Sequence, residues 1–195
     1  MHLSGKHDSF SLHPVLARFV EAATPLPIND DLLRPSPLTA VAARAMLTMG
    51  QRIKRADQPG HQITLLFPLL PILWWPAADR PPTGLPLSLM SVTDDELEGL
   101  LCAELLRHAQ LSPLGPVPEW VRQILNEALT PAARQRLFDQ SKKISQTQFG
   151  QWLGLSRGQL AHQSQRLAQA DAPLLDTSVA EPAFYQEWFH EQPGR

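Results

Sequence analysis

The chain has 195 residues, 43% hydrophobic and 18% charged, with a formal net charge of −2 at neutral pH. That length suffices for one ample core or two small ones, and the slight acidity excludes a surface coated throughout in cations for nucleic acid. A single cysteine, Cys102, excludes an internal disulfide and a multi-cysteine zinc site, and between Leu101 and Ala103 it reads as a small buried hydrophobe.

The first residues hold no apolar run of the signal-peptide kind. His13-Pro14 opens a short helix to about Ala23, and Pro25 to Pro37 is an irregular connection with helical turns at Asp30 to Leu33. Ser36 and Pro37 then start a firmer helix, in which Leu38, Val41, Ala42, Ala45, Met46 and Met49 recur at helical spacing to about Arg55. Arg52, Lys54 and Arg55 suit its C-terminal dipole.

The longest apolar run, Ile63 to Trp75, is 13 residues long, short of the roughly 20 needed to span a bilayer. Pro68 and Pro71 deny it a continuous helix, so it reads as buried, extended chain, a strand with a turn at Pro76. Its leucines and paired tryptophans also suit a docking surface for a protein partner. Pro76 to Pro86 is a loop. Thr93 caps the next helix, whose first turn holds Asp94, Asp95 and Glu96, and Leu97, Leu100, Leu101, Ala103, Leu105 and Leu106 make it the central core helix.

The proline-rich run Ser112 to Pro118 marks a boundary. Residues 1–112 are expected to form a mostly helical, proline-rich domain for dimerisation or partner contacts, and residues 113–195 an all-helical domain, so the fold class is mainly α. Pro118 starts a helix to Leu129, and Thr130-Pro131 starts another. Beyond Ala170 the chain turns acidic before a last helix carrying Phe184, Tyr185, Trp188 and Phe189, which either folds back on its own domain or forms a dimer contact.

Ile144 to Leu160 spells two short helices around one tight turn. Ser145 caps the first, with Gln148 completing a capping box, and Phe149 and Leu153 lie one turn apart on its buried face. Gly150 allows a close crossing, and Gly154 is the left-handed residue that stops the helix. Leu155 turns back into the core, Ser156 caps the next helix and Leu160 anchors it.

These residues resemble a known family. Ile144-Ser145-Gln146, Phe149-Gly150, Leu153-Gly154 and Ser156-Arg157 are similar to the helix-turn-helix of phage repressor and Cro-type domains over residues 134–168, with Arg134 to Lys143 standing where that family has its first helix. The chain departs from it at Gln163, where an apolar core residue is usual, and lacks the Trp-Glu pair that commonly follows. Ser156 to Leu167 is also similar to the corresponding helix of ParB-type partition proteins, and both remain open. The resemblance implies DNA contacts from Gln146, Thr147, Ser156, Arg157, Gly158, Gln159, His162, Gln163 and Arg166, supported by Lys142 and Lys143. In the major groove Gln159 would pair with adenine, and Arg157 with guanine or phosphate.

Charge points the same way. From Pro131 to Arg166 six positive residues (Arg134, Arg136, Lys142, Lys143, Arg157 and Arg166) face one negative, Asp139, so this segment is +5 while the whole chain is −2, leaving −7 for the rest. There is no phosphate loop, no Gly-x-Ser-x-Gly elbow and no His-Glu-x-x-His. The seven histidines (His2, His7, His13, His61, His108, His162 and His190) are scattered without metal spacing. No catalytic residue, metal or cofactor is therefore expected. The sequence reads as a cytoplasmic, dimeric, sequence-specific binder of double-stranded DNA, a bacterial-type transcriptional regulator or partition-like factor using the helix from Ser156 to Leu167. The alternative is a non-enzymatic adaptor that engages a protein through Ile63 to Trp75.

Overall fold

A computed structural model describes residues 9–24, 48–53, 62–73, 87–113 and 115–170, and these are mainly helical. The expected connection from Pro25 to Pro37, the start of the helix at Ser36, the Pro76 to Pro86 loop and the terminal aromatic helix lie outside the described residues.

Strand β1 (Ser9–Leu12) leads directly into helix α1 (Pro14–Ala23), which His13 caps by accepting the Val15 N–H on Nδ1. Strands β2 (Thr48–Ile53), β3 (Gln62–Phe67) and β4 (Leu87–Leu89) complete a sheet of order β1-β3-β2-β4. β1 runs parallel to β3, β2 antiparallel to β3, and β4 parallel to β2. This corrects the reading of a helix reaching Arg55 and adds a sheet to an N-terminal half that is otherwise mostly helical among the described residues. The helical spacing ending at Met49 runs into a segment with strand partners on both sides, and backbone pairing at an inner sheet position overrides so weak a local signal. The dipole role given to Arg52 falls with that helix.

The apolar run behaves as expected only in its first half. Ile63, Thr64, Leu65 and Leu66 are all buried, so both faces of β3 are covered, as its near-continuous apolar sequence demands. After a cis peptide at Phe67-Pro68 the chain forms a short helix, α2 (Leu69–Leu73), rather than continuing extended. Pro71 is tolerated in its first turn, where the missing N–H would have had no partner within the helix. Leu69 and Ile72 are buried. The docking surface expected here is therefore core through Ile72, and Trp74 and Trp75 lie outside the described residues.

Helix α3 (Asp94–Leu111) begins at the capping box read from the sequence, with Glu96 Oε2 accepting the Thr93 N–H at 2.8 Å and Thr93 Oγ1 accepting the Glu96 N–H at 3.3 Å. Leu97, Leu101 and Leu105 are fully buried along one stripe. Its Glu104 carboxylate accepts the N–H groups of Leu69 and Leu70 at 2.8 and 3.0 Å, closing the open end of α2 from another element. Cys102 is buried as expected, and burial pushes its thiol up to about 12.

Helix α4 (Val117–Ala128) packs against both α1 and α3, while α1 and α3 contact β3. Val117, Trp120, Val121, Ile124 and Leu125 are buried in the same continuous hydrophobic cluster as Leu16, Phe19 and Leu65. The proline run at 112–118 thus joins two parts of one core. Helix α5 (Pro131–Phe138) follows, capped by Thr130, whose Oγ1 accepts the Ala133 N–H. Among the described residues no helix is long and apolar enough to cross a membrane.

Candidate nucleic-acid interface

Helices α6 (Gln146–Leu153) and α7 (Arg157–Ala170) form the two-helix unit that the sequence spells. Ser145 and Gln148 make a reciprocal capping box, and Gly154 takes the left-handed conformation at φ 70° that ends α6. The Gly150 carbonyl accepts from Gly154 and, at 2.8 Å, from Leu155, which turns the chain sharply. A Cβ on Gly150 would collide with the Leu155 carbonyl oxygen and come within 3.3 Å of Leu160 Cδ1. The close approach at Gly150 is thus to the turn as well as to the second helix. Phe149 and Leu160 are fully buried, whereas Leu153 and Leu155, expected in the core, pack against its edge half-buried.

Both helices rest on α4. The helix ahead of the unit covers Pro131–Phe138, so it takes in only the first half of the Arg134 to Lys143 segment expected to form it. Helix stops at Phe138, Asp139 takes a left-handed conformation at φ 55°, and irregular chain runs from there to the Ser145 cap.

Polar groups of α4 hold that irregular chain in place. The Asn126 side chain accepts the Ile144 N–H at 2.6 Å and donates to the Ile144 carbonyl at 3.0 Å. Arg122 donates to the same carbonyl at 2.8 Å and pairs in bidentate fashion with the buried Glu119. Arg134 is buried too, donating to the carbonyls of Asn126, Leu129 and Ser141. It satisfies the open C-terminal carbonyls of α4, where a cation is also favoured by the dipole.

The proposed contact residues divide along α7. Arg157, Gly158, Gln159, His162 and Arg166 are exposed, and so are Ser156 at the cap and Thr147, Lys142 and Lys143 before it, with Gln146 half-buried. Gln163 does not belong with them. It is 5% exposed, its Oε1 accepts the Glu119 N–H at 3.2 Å and its Nε2 donates to the Pro113 carbonyl at 3.2 Å. A polar residue occupies this core position because both ends of its amide find partners there, so it is withdrawn from the contact set. Leu167, one turn on, is buried as a further core residue of the helix.

The positive charge free for a ligand shrinks likewise. Arg134 is buried, Arg136 pairs with Asp95 and Glu98, and Lys143 pairs with Glu127 at 2.6 Å. Lys142, Arg157 and Arg166 make no ion pair among the described residues. From Gln140 to Ala170 the sequence contains no Asp or Glu at all.

Compared with protein-family models, curated proteins and solved structures, the chain matches none. The site therefore stands on its own geometry. One exposed aromatic escaped the sequence reading: Trp152, 41% exposed, stacks on Phe138 with ring centroids 5.1 Å apart. Its spacing of three from Phe149 signalled the neighbouring contact, a T-shaped pair at 6.0 Å.

Proposed function

We propose that the chain is a sequence-specific DNA-binding protein, of the transcriptional-regulator or partition-factor kind, that lays α7 in the major groove and acts as a homodimer. One observation carries this reading. Helix α7 turns Leu160, Gln163 and Leu167 into the core and holds Arg157, Gln159, His162 and Arg166 in solvent, on a stretch of chain free of carboxylate side chains. Long hydrogen-bonding side chains on the free face of a rigidly seated helix suit base edges, and the absence of anions there spares the phosphates any repulsion. Mobility-shift titration of the full chain on genomic fragments at two salt concentrations is the test. Affinity for a subset of fragments that falls steeply with salt is the expected result.

The adaptor reading is favoured by a different observation: Arg134 is buried and Arg136 is held in ion pairs with Asp95 and Glu98, while Trp152 and Leu111 stand in solvent. Its route through Ile63 to Trp75 is closed as far as Ile72 by burial. Absence of any duplex affinity at low salt would decide for it.

A further inference from the structure

We propose that residues 171–195 dock across the exposed face of α6 and α7 of their own chain and compete there with DNA, an autoinhibitory contact. The competition rests on the DNA-binding reading above, and the docking does not.

Charge matches the two partners. From Gln140 to Ala170 the chain carries Lys142, Lys143, Arg157 and Arg166 and no Asp or Glu, whereas residues 171–195 carry Asp171, Asp176, Glu181, Glu187 and Glu191 against Arg195 alone. Lys143 is paired with Glu127, but Lys142, Arg157 and Arg166 are exposed and make no ion pair among the described residues. Adjoining segments of opposite charge attract one another. Helix stability does not account for the acids. Asp171 directly follows the C-terminal end of α7, where the dipole favours a cation.

An apolar match accompanies the charge. The acidic segment carries Phe184, Tyr185, Trp188 and Phe189, with Glu187 and Glu191 on either side of the last two. On the folded side Trp152 is 41% exposed and stacked on Phe138, which makes it an aromatic platform open to a further ring. Only the turn from Gly154 to Ser156 separates the helix of Trp152 from Arg157, so aromatic and acidic groups interleaved in one segment can engage both.

The tether reaches. Helix α7 has 14 residues, which span about 21 Å. The chain from Ala170 to Phe184 covers about 45 Å when extended, enough to return to the start of α7. A short tether presents its segment at an effective concentration on the order of 1 mM. A contact with Kd of about 0.1 mM would then cover the face in about nine molecules of ten and weaken DNA binding about tenfold.

The test uses the full chain with a benzophenone amino acid in place of Trp188. Irradiation should crosslink it, within one chain, to residues 146–170, less so as salt rises and not at all under saturating duplex. Lys142→Glu with Arg166→Glu should cut the yield several-fold. Replacing Phe184, Tyr185, Trp188 and Phe189 by serine leaves the net charge unchanged and should tighten binding to an enriched duplex about tenfold. Crosslinks elsewhere on the chain or to a second copy would overturn the proposal and leave the DNA reading standing, and so would an unchanged affinity in a folded serine variant. Crosslinks on α6 and α7 without duplex affinity at low salt, in wild type and serine variant alike, would remove the DNA reading and leave the docked segment.

Discussion

Asn126 and Ile144 are joined twice, with the side chain of one bonding both backbone groups of the other at 2.6 and 3.0 Å. Both residues are buried, so this small ladder fixes the chain entering α6 in place of a regular helix. Asn126→Ala should destabilise the protein by about 1–3 kcal/mol, the cost of leaving a buried N–H without a partner. Asn126→Asp, which keeps the acceptor but sets an oxygen against the Ile144 carbonyl, should be at least as severe. Urea unfolding of the full chain checks both, and wild-type midpoints would mean that the loop holds itself.

Gly150 and Gly158 sit eight positions apart and should respond oppositely. Alanine at Gly150 meets backbone at the Leu155 carbonyl, which cannot swing aside, and should cost about 1–3 kcal/mol, with leucine worse. At Gly158 the nearest atom to a new Cβ is Ser156 Oγ at 3.9 Å, so Gly158→Ala should stabilise α7 by up to about 1 kcal/mol through helix propensity. Thermal melts of the two variants side by side are the measurement. Equal behaviour would contradict the close turn.

Arg157→Ala and Gln159→Ala should each lose about 1–3 kcal/mol on a preferred site and little on random duplex. Lys142→Ala should weaken both alike and lower the salt dependence by about one unit. Lys143→Ala should do less than Lys142→Ala, because Glu127 already neutralises Lys143. Filter-binding titrations across a salt series separate these cases, and uniform losses across all four variants would reduce the interface to nonspecific attraction.

Burial pushes the Glu104 carboxyl up from 4.5 to about 7 despite the two N–H groups of α2 that it accepts. Its folded state holds the proton more tightly than the unfolded chain, so its contribution favours folding below pH 4.5 and is lost as pH rises through about 7. The full swing is about 3 kcal/mol at most. Urea midpoints of wild type and Glu104→Gln, measured below and above that window, should converge in acid relative to their separation in base, the wild type losing more as the pH rises. A constant difference would show that folding leaves the proton affinity of this carboxyl unchanged.

What the sequence made legible was local. Thr93, Thr130, Ser145 and Gly154 act within one helical turn of themselves, and each stands where its residue type says it should. Strand β2 was illegible because its partners, β3 and β4, lie elsewhere in the chain, while its own neighbourhood spelled a helix. Gln163 and Arg134 misled for another reason. Long polar side chains are ordinarily solvated, and only the arrival of Glu119, Pro113, Leu129 and Ser141 from other positions makes their burial tolerable.

Helix α4 contacts α1 and α3 as well as α6 and α7, and one hydrophobic cluster runs through all of them, so the region that would grip DNA and the region that holds the sheet are expected to melt together. A ligand bound to the native state alone would then slow hydrogen exchange at amides it never approaches. At a hundredfold excess over Kd, the globally protected amides of Leu65 and Leu66 in β3 should gain about 2.7 kcal/mol of protection, as much as those of α7. Tritium or deuterium retained in the sheet would thus report occupancy of a helix that lies far along the chain from it.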